Sequence, residues 1–398
     1  MNIKQKIKQN RALFYIIRDI AGFTTKYRMK RLHSKGVKNK VVFNSFSGSQ
    51  YSDNPRAICE AVHELDKTIE LVWLLKKEAM MNPDIPAYVR VVEYTEENIV
   101  NELSDSKVWI DNSFIFAYAC NKLFKGNNQL YIQTWHGDRG FKKCGYEWNG
   151  FTSDTRGIEN GFCDVLLIGS EFEKRFFERA YRYKGEYLFS GSPRDDCLVN
   201  RDYSKEEIIR SRLGIDNDTN ILLYAPTYRD DGNDEGIQKF IGSINEILRA
   251  CEQYKVGKWI CFYRGHHLEI NGLDINNSAN FKNVSFYPDM SDLLCVSQIL
   301  VTDYSSSAGD FIVKGEPVIL FQVDRDNFTG ADRQLLFDVD KSPFLVAKSV
   351  TELTSVLKSL KKINIQQNCK DILTMYQAYE PGNASQTVAN KILEFIYK

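Results

Sequence analysis

The feature that most limits what this chain can fold into is its alternation of short apolar runs with helical stretches. Val41–Phe46, Leu71–Leu75, Val89–Tyr94, Val108–Asn112, Leu130–Trp135 and Val165–Ile168 read as strands. Helical patterns such as Glu96–Leu103 and Glu171–Arg182 separate most of them. Apolar strands divided by helices imply parallel β-α-β units covered on both faces. Around Arg201–Gly214 the pattern becomes a charged helix and then restarts with Ile221–Ala225, Trp259–Phe262, Val284–Tyr287, Ile299–Thr302 and Val318–Phe321. The expected fold is therefore α/β, with two doubly wound domains, 41–200 and 201–398, facing across a cleft. A final helix, Ala384–Tyr397, ends the second.

Net charge is zero, but it is unevenly placed. Residues 1–40 hold twelve Lys/Arg and one acid, which leaves the rest of the chain at −11. The head also carries an apolar patch of Leu13, Phe14, Ile16, Ile17, Ile20 and Phe23. Its longest apolar run falls far short of the roughly 20 residues a membrane span needs, and no signal-peptide cleavage pattern follows. The expectation for 1–40 is an amphipathic helix lying on an anionic membrane surface, rather than a nucleic-acid arm or a solvated leader. The nine cysteines are scattered singly, as in a reduced protein without a disulfide framework.

Residues with chemical potential gather at strand ends, where doubly wound sheets bind ligands. Gln129–Gly145 runs from a strand into a loop bearing His136, Asp138, Arg139, Lys142 and Lys143 around Gly137 and Gly140. An imidazole followed by cations suits a phosphorylated substrate; the plainer alternative is a surface loop with a structural histidine. Gly191–Asp195, with Arg194, closes the first half. In the second half, Thr227 and Arg229 follow one strand, Arg264, His266 and His267 a second, and Asp303, Ser305 and Ser306 a third. Arginine grips phosphate through two nitrogens, and serines opening a helix either cap it or face an anion. Cys261, His266 and His267 are a conceivable metal set, but no other ligand cluster supports it. Neither GxxxxGK[ST] nor GxGxxG occurs, which argues against ATPases and nicotinamide enzymes.

In order along the chain, TWHG with a basic stretch after it, SGSPRDD, YAPTYRD, R-x-H and TDYSS resemble the CDP-glycerol glycerophosphotransferase family of wall teichoic acid synthesis. The segment FNSFSGSQYSDNPR resembles that family's first β-α unit, and the likeness covers roughly 41–395. The resemblance implies two Rossmann-like domains in a GT-B arrangement, at the cytoplasmic face of the cell membrane. It also implies that an acceptor hydroxyl attacks the β-phosphorus of CDP-glycerol and displaces CMP. The acceptor would be a lipid-linked glycan or polyol-phosphate, and no metal cofactor is implied. His136 would be the general base, with Arg264 and His266 neutralising the pyrophosphate. Ser305 and Ser306 would hold phosphate oxygens, Asp303 would position that loop or touch glycerol, and Thr227, Arg229, Arg194 and His267 would line the substrate cleft. Two departures stand out. His267 occupies a place where many members have proline, and Asp138-Arg139 replaces a Thr-Pro type sequence, with an expected effect on acceptor preference. CDP-ribitol as donor, a sugar-nucleotide glycosyltransferase, and a silent polymer binder remain as alternatives.

Overall fold

The computed structural model describes residues 11–148, 151, 153–227, 235–265, 277–325, 328 and 334–398. Each lobe is built on one parallel sheet. The first contains β1 (Lys38–Asn44), β2 (Glu70–Leu75), β3 (Val89–Glu93), β4 (Ser106–Asp111), β5 (Leu130–Gln133), β6 (Val165–Ile168) and β7 (Glu186–Phe189), in the order β3-β2-β1-β4-β5-β6-β7. The second contains β8 (Asn220–Tyr224), β9 (Trp259–Tyr263), β10 (Phe281–Asn283), β11 (Ile299–Thr302), β12 (Val318–Phe321) and β13 (Leu345–Ala347), ordered β10-β9-β8-β11-β12-β13. In both sheets the order reverses beside the first strand, so each has a switch point, at β1/β4 and at β8/β11. This is the two-domain doubly wound architecture expected from the alternation.

Central strands are buried along their whole length, which is why their sequences are continuous apolar runs. The edge strands β7 and β13, absent from the sequence reading, are only four and three residues long and bury few of their side chains. The strand expected at Val284–Tyr287 lies earlier, at Phe281–Asn283; Val284 still donates to Tyr263 O at 2.8 Å before the chain turns away.

The C-terminal helix Ala384–Ile396 differs from expectation in its packing. A division near residue 200 assigns it to the second domain, yet Val388, Ala389, Ile392 and Ile396 join Ile58, Val62 and Trp73 in the first lobe's core. Val388, Ile392 and Ile396 each contribute roughly 1.5–3 kcal/mol on burial, enough to return the chain end across the molecule. At the other end, the helix Arg11–His33 docks through Met29, which is fully buried, and through Gly22, which packs against the backbone of Asn121. Leu13, Ile16, Ile17, Ile20, Phe23 and Tyr27 of that helix face outward. Among the described residues no helix is long and apolar enough to cross a membrane.

Candidate active site between the lobes

His136 stands just past the end of β5, at the first lobe's switch-point crevice. The approach is shaped by hydrogen bonds at the strand ends. Thr134 N donates to Asp111 O at 2.9 Å, Gln133 Nε2 donates to Asp111 Oδ1 at 2.6 Å, and Gln133 Oε1 accepts from Trp135 N at 2.8 Å. Trp135 takes a left-handed backbone with φ 54°, a conformation costing a bulky residue about 1–3 kcal/mol. Asn54 holds the turn, its Nδ2 donating to the carbonyls of Thr134 and Trp135 at 3.1 and 3.2 Å. The imidazole then sits against the Trp135 ring, at 4.7 Å between centroids, and edge-on to Phe46 at 5.3 Å.

His136 Nδ1 hydrogen-bonds the backbone carbonyl of Asn112. A carbonyl only accepts, so Nδ1 carries the hydrogen and Nε2 keeps its lone pair. Burial of the ring lowers the pKa below the ordinary histidine value, although the Asn112 bond opposes that shift; the Arg194 charge lowers it further. The group is thus held as a neutral base of defined tautomer.

The facing loops leave the second sheet at adjacent strands β9, β8 and β11. With neighbouring strands about 4.8 Å apart, the ends of β9 and β11 are separated by about 10 Å. Thr227 donates to Asp303 from its backbone N, at 2.9 and 3.1 Å to the two oxygens, and from Oγ1 at 2.6 Å. Tyr304 N donates to the same carboxylate at 2.5 Å, and Gln322 Nε2 donates to Asp303 O at 2.9 Å. Asp303 is buried and braces these two loops together. Ser305 Oγ accepts from Ser307 N at 3.3 Å and from Ser307 Oγ at 3.0 Å. Ser306 precedes the short helix Ser307–Phe311 and meets the histidine loop: a methyl group on Gly137 would stand 3.4 Å from Ser306 Oγ.

Arg264 N donates to Tyr224 O at 2.9 Å, which sets the residue at the end of β9. Its Nη1 is buried and has no hydrogen-bond partner among the described residues. Leaving such a donor unpaired costs on the order of 1–3 kcal/mol, and more for a charged group. Burial pushes the guanidinium pKa down, with Asp289 and Asp292 working against that shift. An anion arriving beside Arg264 would relieve both penalties.

Arg194 is placed differently from a substrate-binding residue. It is 6% exposed, and its guanidinium is held by Asp310 (2.8 and 3.3 Å), Asp138 (3.1 Å) and Asp53 (3.5 Å). Asp138 and Arg139 are likewise 2% and 1% exposed, so the pair expected to tune acceptor preference is sealed between the lobes. Burial raises the carboxyls of Asp195 and Glu380 and pushes Asp53 up to about 6. Burial works against Asp138 as well, but Arg194 beside it helps bring that carboxyl down to about 2. His266, His267 and Arg229 lie outside the described residues. Residues given no site role in the sequence reading but central here are Asn54, Phe46, Asn112, Gly309 and Asp310. Of these, Phe46 and Asn54 have a local signal, their place in the FNSFSGSQYSDNPR segment.

Comparison with known proteins gives a consistent picture. A teichoic acid glycerol-phosphate transferase of Staphylococcus aureus is 30% identical over 90% of this chain and 93% of its own length. A teichoic acid poly(glycerol phosphate) polymerase of Bacillus subtilis is 28% identical over 90% of this chain, which spans 49% of that longer protein. The solved structure of the wall teichoic acid polymerase TagF superposes with a TM-score of 0.75 at 26% identity, covering 100% of this chain and 99% of the other. A variant soaked with CDPG gives 0.76 at the same identity and coverage. The profile of one family, described as CDP-Glycerol:Poly(glycerophosphate) glycerophosphotransferase, matches residues 25–394. This chain therefore belongs to that family, and is a transferase of glycerol phosphate groups.

Proposed function

We propose that the chain transfers glycerol phosphate from CDP-glycerol to a hydroxyl of a lipid-linked polyol-phosphate or glycan acceptor, releasing CMP in teichoic acid synthesis. One observation carries this reading: a neutral imidazole of fixed tautomer stands on a loop that touches the Ser305–Ser306 loop of the facing lobe. The first lobe is the acceptor side and the second the donor side. His136 Nε2 takes the proton of the attacking hydroxyl, a contribution of about 10²- to 10⁴-fold for a positioned base. Oxygen attacks the β-phosphorus, the bond to the α-phosphate oxygen breaks, and the electron pair leaves on CMP. Arg264 balances charge building on the departing phosphate, where electrostatic stabilisation counts most. Ser305 and Ser306 offer hydroxyl and backbone donors to phosphate oxygens, while Thr227 borders the nucleotide side. His266, His267 and Arg229 follow Arg264 and Thr227 in sequence and are assigned to the same anion site on that ground. Asp303 and Arg194 shape the site from behind, since both are spent on protein partners.

The outward apolar stripe of Arg11–His33, flanked by Lys26, Arg28, Lys30 and Arg31, supports peripheral attachment to an anionic membrane surface near the lipid-linked acceptor. The test of the whole reading is CMP release from CDP-glycerol, CDP-ribitol and a UDP-sugar in the presence of a lipid-linked acceptor. CDP-glycerol is expected to be the productive donor. Release from none of the three, or from the UDP-sugar alone, contradicts the proposal.

A further inference from the structure

The loop that carries His136 starts in the first lobe but is fastened in the second. Arg139 is 1% exposed; its Nε donates to Gly309 O at 2.7 Å, and its Nη2 pairs with Asp195 at 2.6 Å and Asp310 at 3.3 Å. Its Nη1 pairs with Glu380. Gly309 allows this approach because it has no side chain: a methyl group there would lie 2.5 Å from Arg139 Cβ and 2.9 Å from Arg139 O. Two residues further on, Phe141 is 1% exposed and sits in the second lobe's core, its ring 5.1 Å from Phe344 and 5.4 Å from Phe337. The backbone then pairs across the lobes: Leu336 N donates to Phe141 O at 2.7 Å, and Lys143 N donates to Gln334 O at 2.9 Å.

A surface loop has no need of a buried guanidinium, a left-handed arginine (φ 53°) and an aromatic plug in another domain. All three lie within five residues of His136. We infer that Arg139, seated on Gly309 and followed by Phe141, is a positioning device that registers His136 against the donor-side serine loop. Arg139 touches no substrate, because its guanidinium is enclosed by protein carboxylates and a carbonyl. Its effect passes through the backbone of Gly137 to His136 and holds the base's loop in register with the loop that carries Ser306. The device rests on the transferase reading proposed above, and on His136 being the base in it.

Two substitutions probe it from opposite lobes. Gly309→Ala pushes on the loop without altering charge, and Arg139→Lys keeps charge but loses the forked grip. Both variants are expected to fold, with kcat lowered about 10- to 100-fold and KM for CDP-glycerol within about threefold of wild type. NMR titration of the His136 imidazole supplies a readout that needs no turnover. In both variants its pKa is expected to rise toward the ordinary histidine value as water reaches the ring. Folded variants with wild-type kcat and an unmoved His136 titration overturn the inference. Wild-type protein that releases no CMP from CDP-glycerol overturns the transferase reading instead, while a shifted titration in the same experiment still supports the loop device. Should Arg139→Lys fail to fold, Gly309→Ala alone decides the matter.

Discussion

The imidazole of His136 donates its Nδ1 hydrogen to the backbone carbonyl of Asn112, which belongs to the loop after the neighbouring strand β4. A main-chain acceptor cannot be lost by a side-chain change at position 112, so the tautomer of the base is written into the sheet itself. The same bond leaves Nε2 as the basic nitrogen, on the loop that reaches Ser306.

This geometry has a pH signature. Burial lowers the His136 pKa, so the acidic limb of kcat/KM should lie below the ordinary histidine value of about 6.5. Activity rises with pH through that limb as the imidazole loses its proton. Stability follows the same sign. The folded form binds fewer protons than the unfolded one, so the contribution is present above about pH 6.5 and is lost as pH falls through the folded pKa. A pH–rate profile with its limb at or above 6.5 would contradict the neutral, buried base.

Arg264 should behave unlike a structural arginine. Its buried Nη1 lacks a hydrogen-bond partner among the described residues, so Arg264→Met removes a desolvated charge and leaves the melting temperature unchanged or raised. The dissociation constant for CDP-glycerol, measured by calorimetry, is expected to rise about 10- to 100-fold, the loss of 1.5–3 kcal/mol from a charged hydrogen bond. Tight binding by a folded variant would show that the anion lies elsewhere.

The C-terminal helix should matter to the lobe it touches. Ile392 is fully buried among first-lobe residues. Ile392→Ala is expected to cost about 2–5 kcal/mol in denaturant unfolding, with the loss felt in first-lobe amides by hydrogen exchange. Exchange confined to the second lobe would contradict the packing.

The outward face of Arg11–His33 lets the proposed membrane attachment be tested apart from the fold. Ile20 and Phe23 are 71% and 68% exposed, so Ile20→Glu with Phe23→Glu should leave the melting temperature within about a degree. Binding to vesicles rich in anionic lipid is expected to fall at least about tenfold, since apolar insertion is lost and two negative charges face the headgroups. Undiminished binding would place membrane contact on another surface.

How much of this was legible beforehand follows from where each signal resides. Fully buried parallel strands are dominated by apolar residues, so β8, β9 and β11 stand out in the sequence; the short runs of β7 and β13 at the edges, half exposed and without alternation, do not. The placement of His136 at a strand end was readable because the strand before it was. Its anchor at Asn112 was not, because a carbonyl has no letter of its own. Arg194 shows a different limit. An arginine in a cleft motif suits a phosphate or a carboxylate equally, and the carboxylates that claim it, Asp53, Asp138 and Asp310, converge from three distant segments. The Asp138-Arg139 pair misled for the same reason, since its partners Asp195, Gly309 and Glu380 are remote in sequence.

The most direct measurement compares wild type with His136→Ala in two assays on the same preparations: CMP release with CDP-glycerol and a lipid-linked acceptor, and equilibrium binding of CDP-glycerol alone. The expected result is a fall in turnover of at least about 10²-fold with the binding constant changed by less than about threefold. Retention of more than a few per cent of wild-type turnover, or donor binding lost together with activity, would contradict an imidazole base set across the groove from the donor site.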